Sequence, residues 1–183
     1  MRKLDIAKFA DRGNEFRPQM NGVFHDGGFQ VASDTVVMVA VRADYPAELE
    51  QKVIGRDGQE IKTPRYPRWR AAVPDGRGEV QAINTEAVRD LLRRERTEKA
   101  LAKKAGGCGR CGYIKVGSAF FRATTFRKVC DFMDAYNSNG LHVFGPGRPA
   151  YVEAPDGSLA VIMPSAVQNY WLEDRENHLW LEF

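Results

Sequence analysis

The sequence predicts an α+β fold, helices packed on antiparallel sheets, built from a helix-plus-three-strand unit that occurs twice. Three observations predict it. Phe126, Val129, Cys130, Met133 and Tyr136 follow the i, i+3, i+4, i+7 spacing of an amphipathic helix with one buried side. Three short apolar runs come directly after it, Leu141–Phe144, Ala150–Ala154 and Leu159–Met163, with Pro155-Asp156-Gly157 as the tight turn between the last two. A looser echo of the same order, helix then strands, spans residues 4–42.

Taken in order, Leu4 to Asp11 reads as a short helix with Ile6, Phe9 and Ala10 on one side, stopped by Gly13-Asn14. An extended run leads from Phe16 to Phe24, Asp26-Gly27-Gly28 marks a hairpin turn, and Phe29–Ala32 and Val36–Arg42 are strands. Residues 44–79 are rich in proline, glycine and charge. Within them Val53-Ile54 and Glu60-Ile61 flank Gly55-Arg56-Asp57-Gly58 as a small hairpin. Tyr66-Pro67-Arg68-Trp69 and Val73-Pro74 are extended, because residues before proline avoid the helical region.

Asn84 or Thr85 caps a second helix, with Glu86 in its first turn. Its apolar stripe is narrow, Val88, Leu91 and Leu92, and it runs to Lys104 before Gly106-Gly107 stops it. Tyr113–Val116 and Ala119–Ala123 are short strands. Thr124 or Thr125 caps the third helix and Asn139-Gly140 ends it. The last twenty residues form an aromatic and acidic tail. The chain therefore divides into a first half over 4–46, a linker with a hairpin over 47–79, a second half over 80–164, and a tail over 165–183.

With 43% hydrophobic and 28% charged residues the chain can bury a core, which sets it apart from disordered sequences. No run of about 18 apolar residues is present, so no membrane-spanning helix is expected. The N-terminus lacks the apolar segment of a signal peptide, and a cytoplasmic protein is the default. Charge is unevenly placed. Arg89–Lys128 holds twelve Lys/Arg against three Asp/Glu, whereas Val129–Phe183 holds two against eight. A basic segment inside a chain of net charge +3 points to a localised anionic partner.

Three cysteines argue against a disulfide framework. Cys108 and Cys111 form a Cys-x-x-Cys on a glycine-rich turn: half a zinc site, a redox pair, or an ordinary exposed turn. Zinc would need two more ligands, for which Cys130 and His142 are the available types. No second Cys-x-x-Cys or His pair occurs. Gly145-Pro146-Gly147 lacks the lysine of a phosphate loop. His25, His142 and His178 lie far apart in sequence and suit no catalytic triad, and Asp131 and Asp134 read as solvent-facing. Nothing implies a cofactor, and an enzyme is the least favoured class.

Four stretches carry a family signal. Arg17-Pro18-Gln19-Met20-Asn21-Gly22-Val23 resembles the Arg-Pro-x-Leu-Asn-Gly-Val strand of bacterial DNA sliding clamps, the DNA polymerase III beta family. Ala32-Ser33-Asp34 stands where clamps have Ala-Thr-Asp. Tyr66-Pro67-Arg68-Trp69-Arg70-Ala71-Ala72-Val73-Pro74 resembles their Phe-Pro-x-Tyr-x-x-Val-x-Pro connector. Residues 84–94 and 126–164 resemble the third clamp domain, with Pro149 before a strand and a closing Val-x-Met-Pro. The chain departs from the pattern after Asp34, where clamps continue Gly-His-Arg-Leu and Thr35-Val36-Val37-Met38 stands here. It also extends beyond Pro164, and its length is about half that of a clamp chain.

The resemblance implies an abbreviated, clamp-like binding protein. On this expectation the chain is a DNA sliding clamp-like processivity or tethering factor for DNA replication. Its basic helices, through Arg89, Arg93, Arg94, Arg96, Lys99, Lys103, Lys104, Arg127 and Lys128, would meet the backbone of duplex DNA without regard to sequence. An apolar pocket of Met20, Ser33, Thr35, Val36, Met38, Pro74, Val161 and Met163 would take polymerase or other clamp-motif peptides. Several copies would assemble as a homo-oligomer. The alternative is a clamp-derived peptide-binding or regulatory module that does not hold DNA. The ending His178-Leu179-Trp180-Leu181-Glu182-Phe183 resembles a clamp-binding peptide and would either occupy such a pocket or form a terminal strand.

Overall fold

The computed structural model describes residues 4–63, 65–76, 78–165 and 178–183. Among the described residues there are two sheets and two α-helices. The larger sheet has eight strands in the order β4-β1-β2-β3-β10-β9-β8-β5, every neighbouring pair antiparallel. Its strands are β1 (Val23–Asp26), β2 (Phe29–Ser33), β3 (Val37–Arg42), β4 (Val53–Ile54), β5 (Glu79–Ala82), β8 (Gly140–Val143), β9 (Ala150–Glu153) and β10 (Leu159–Ile162). The smaller sheet, β11-β6-β7, comprises β6 (Cys111–Val116), β7 (Ala119–Arg122) and β11 (His178–Glu182). Helix α1 (Thr85–Lys104) and helix α2 (Ala123–Tyr136) pack on each other and on the sheets.

Strand periodicity sorts the side chains into two cores. Along β3, Val37, Val39 and Val41 face the helices, while Met38 and Ala40 face the opposite side. On β10, Ala160 and Ile162 join the first set and Val161 the second. The helix-side core includes Leu91, Phe121, Phe126, Phe132 and Met133, all essentially without solvent contact. The second core lies on the outer face of the large sheet, around Phe24, Val31 and Met38. Tyr66 and Trp69 from the linker belong to it, with Ile61 and Val73 packed alongside.

Several expectations need correction. The helix expected over residues 4–11 is only a 3-10 turn, Ile6–Lys8. Asp5 makes no capping bond there, and so short a segment before Gly13 cannot repay helix nucleation. The chain instead drops Phe9 and Ala10 into the core. Helix α2 starts at Ala123, directly from the extended Arg122, so Thr124 and Thr125 lie inside it. It ends two residues early, at Asn137, whose φ of 52° supplies the left-handed cap. Asn139 instead accepts a hydrogen bond from Ile83 (2.8 Å), beside the start of β8. Of the linker residues expected to be extended, Trp69 instead opens a 3-10 turn, Trp69–Ala72, while Val73 is extended. Strand β5, not anticipated, pairs with β8.

Candidate nucleic-acid and peptide interfaces

Asn84 begins α1 by accepting hydrogen bonds from the backbone N–H groups of Glu86 and Ala87 at 3.1 Å. Val88, Leu91 and Glu95, at i, i+3 and i+7, turn inward. The basic side chains are thereby spread over the flanks and the exposed side. Their partners divide them. Arg89 bonds to Asp134 of α2 and lies 3.8 Å from Asp131. Burial alone would pull its pKa down, but the Asp134 contact outweighs that and holds it above the ordinary arginine value. Arg93 pairs with Asp90 and Glu86. Lys99 meets the buried Glu95 at 2.5 Å, which raises the lysine pKa. Lys128 reaches Asp34 at 2.6 Å and so ties α2 to the β2–β3 turn.

The other five expected DNA contacts, Arg94, Arg96, Lys103, Lys104 and Arg127, are exposed and have no ion-pair partner among the described residues. Four of them lie on α1. Arg127 opens onto a cleft of about 730 Å³ whose walls carry both signs, including Lys8, Arg12, Asp34 and Asp131. Asp131 and Asp134 are exposed, as expected, and are engaged by Arg89.

The expected peptide pocket is divided as well. Met20, Ser33, Met38 and Val161 are at most 7% exposed, and the three apolar members belong to the second core with Tyr66 and Trp69. Thr35, Val36 and Met163 stand outside it. Val36 (41% exposed) and Met163 (40%) are bridged by a hydrogen bond from Met163 N–H to the Val36 carbonyl, 2.9 Å. Pro74 is half-buried. The adjoining turn is held by Asp34, whose carboxylate accepts from Val36 N–H and Val37 N–H. Thr35 sits there at φ 75°, the left-handed conformation for which glycine is suited.

The linker is locked by Asp26. Its carboxylate accepts from Trp69 Nε1 (2.7 Å), from Arg70 and from Gln51. Burial alone would raise its pKa, but these donors prevail and lower it. Arg70 also stacks over the Trp69 ring at 4.2 Å.

The C-terminal residues lie along β6, parallel to it, from His178 opposite Cys111 to Glu182 opposite Lys115. The ending is therefore a strand of the small sheet and does not occupy the apolar pocket. Cys108 is exposed, Cys111 is half-buried with its Sγ accepting from Arg122 (3.4 Å), and Cys130 is enclosed in the core, its thiol pushed up to about 12 by burial. Among the described residues no three His, Cys, Asp or Glu side chains gather to hold a metal. His142 stacks on Tyr151 instead. Asp34, Glu95 and the Glu98–Arg110 pair were missed at the sequence level. The signal for Glu95 was present, since it continues the Val88, Leu91 spacing and stands four residues before Lys99.

No family model matches the chain, and no curated protein sequence does. Solved structures match it by shape. The C. crescentus beta sliding clamp superposes with a TM-score of 0.65 at 14% identity, covering 89% of this chain and 62% of that one. A sliding clamp from Bartonella birtlesii, bound to griselimycin, gives the same score and identity over 89% of this chain and 63% of that one. The DNA polymerase III beta subunit of Thermotoga maritima gives 0.55 at 11% identity, over 87% and 61%. The class is thereby defined: an α+β protein with the bacterial sliding-clamp fold. The chain shares that fold at low identity and spans just over three fifths of the length of these clamps. Among the described residues no helix is long and apolar enough to cross a membrane.

Proposed function

We propose that the protein is a clamp-like tethering factor that contacts the backbone of duplex DNA through α1 and the start of α2 and assembles with copies of itself. One observation carries this reading: in a chain with the sliding-clamp fold, four exposed cations without ion-pair partners among the described residues, Arg94, Arg96, Lys103 and Lys104, stand on one helix. Each cation placed on a phosphate releases counterions, so affinity should fall steeply with salt. With Arg127 the count is five, and the slope of log K against log[salt] is expected near about −4.5 per chain. Replacing the four α1 cations with serine should make it shallower by about 3.6. Anisotropy of a labelled duplex across a salt series tests this, and no binding at roughly 50 mM salt removes the proposal.

A second reading, a peptide-binding module that holds no DNA, is favoured by the exposed Val36–Met163 pair and by the neutralisation of Arg89, Arg93, Lys99 and Lys128. It expects an apolar clamp-motif peptide to bind wild type and to be lost in V36E/M163E. Equal affinity for both proteins rules it out.

A further inference from the structure

Across the large sheet from α1 and α2 lies a second basic surface, which the duplex and peptide readings leave unused. The linker stretch Arg65-Tyr66-Pro67-Arg68-Trp69-Arg70 carries it. Tyr66 and Trp69 turn into the second core, and the three arginines are exposed. The stretch is anchored from beneath: Tyr66 stacks flat on Phe24 with ring centroids 4.4 Å apart, and Trp69 donates to Asp26. The arginine backbones therefore stand on a fixed base, which lowers the entropy lost when a ligand is bound.

Arg65, Arg68 and Arg70 line a cleft of about 510 Å³. The one carboxylate in its lining, Asp26, already accepts from Trp69, Arg70 and Gln51. The cations continue beyond the cleft. Arg42, at the end of β3, joins Arg70 over the half-buried Phe29 ring, their guanidinium carbons 5.0 and 6.0 Å from its centroid. Arg70 pairs with Asp26, whereas Arg42, Arg65 and Arg68 form no ion pair among the described residues. The result is a locally positive surface, which draws an anion.

The aromatic rings decide which anion. A guanidinium laid over a ring offers its other plane to an unpaired base, and a strand with open bases brings phosphates with them. A duplex keeps its bases stacked inside. An acidic peptide would use the charge and leave the stacked planes idle. Nor can one duplex serve both surfaces, since the sheet stands between this one and the helix-side core to which α1 belongs.

We infer that this outer surface binds single-stranded nucleic acid without regard to sequence, with phosphates on Arg42, Arg65 and Arg68 and bases stacked on the guanidinium planes of Arg42 and Arg70. Three phosphate contacts on a single strand correspond to a slope of log K against log[salt] of about −2. The surface is separate from the duplex contacts proposed for α1, and either can fail without the other.

The test is anisotropy of a labelled oligothymidylate of about ten nucleotides with the full chain, across a salt series. R65S/R68S should make the slope shallower by about 1.4 and weaken binding on the order of tenfold, while its affinity for duplex stays at the wild-type value. R94S/R96S should do the reverse, weakening duplex and sparing the oligothymidylate. A glutamate oligopeptide of equal charge should compete far less well than unlabelled oligothymidylate. The inference is overturned if wild-type protein fails to bind the oligothymidylate at roughly 50 mM salt, if R65S/R68S binds it with wild-type strength and slope, or if the glutamate peptide competes equally. The first and last of these need only wild-type protein, so a variant that fails to fold does not rescue the idea.

Discussion

Truncating Trp69 to alanine decides whether Met20, Met38 and Val161 are core or pocket. Trp69 is 6% exposed, packs on Phe29 with ring centroids 5.4 Å apart, and donates its indole N–H to Asp26 at 2.7 Å. Removing a buried tryptophan costs about 3–5 kcal/mol from lost transfer energy and the cavity left behind. A small domain holds roughly 5–15 kcal/mol in all, so W69A should remain folded but lose a large share of its stability. W69F keeps most of the buried area and loses one hydrogen bond to a carboxylate that retains Arg70 and Gln51, a cost of about 1.5–3 kcal/mol. Urea denaturation should therefore order the midpoints wild type, W69F, W69A. A lid that peels from a peptide pocket predicts something else: W69A within about 1 kcal/mol of wild type, with peptide affinity increased. That outcome would refute the assignment of these side chains to a second core.

Two further predictions concern neighbouring features. Thr35→Gly should raise stability by roughly 0.5–1 kcal/mol, since a β-branched residue at φ 75° is strained and glycine is not, the gain being reduced by glycine's looser unfolded state; thermal melting of the variant checks it, and a lower melting temperature would show that Thr35 makes a compensating contact. Asp26, whose folded pKa is lowered, contributes stability that is complete above the unfolded carboxylate value, near about 3.9, and is lost as pH falls through the folded value. Denaturation midpoints measured between roughly pH 3 and 7 should decline on the acid side, and D26N should flatten part of that decline; an unchanged profile counts against the lock.

How much could be seen in the sequence depends on how local each cause is. Helix α1 was legible because its cap, stripe and glycine stop all fall within about twenty-four residues, and Asn84 caps it as expected. The β1–β2 hairpin was legible from Asp26-Gly27-Gly28. The first helix was not, because what decides residues 4–11 is the distant core that takes Phe9 and Ala10. Strand β5 was missed because its pattern is mostly exposed and its order comes from β8, some sixty residues later. The C-terminal strand depends in the same way on the edge of β6. In the candidate sites, residue types were visible but their partners were not. Nothing near Lys128 in sequence announces Asp34, and nothing near Arg89 announces Asp134.

That last point changes what a basic segment means. Counting charges gives nine cations for a DNA surface, yet four of them are engaged by carboxylates that fold α1 onto α2, α1 onto itself, or α2 onto a turn. A cation held by a carboxylate carries little field to a phosphate several ångströms away, and freeing it costs the pair it leaves. The remaining five are what a polyanion can use. Four of these lie on α1, and Lys103 and Lys104 occupy its last turn, where the helix dipole favours positive charge even without a ligand. Arg94 and Arg96 lie in mid-helix, away from that dipole end, and among the described residues neither forms an ion pair. If only one pair can be replaced, R94S/R96S is the sharper choice: it leaves the helix end intact, so a shallower salt slope would report phosphate contact and not a frayed helix.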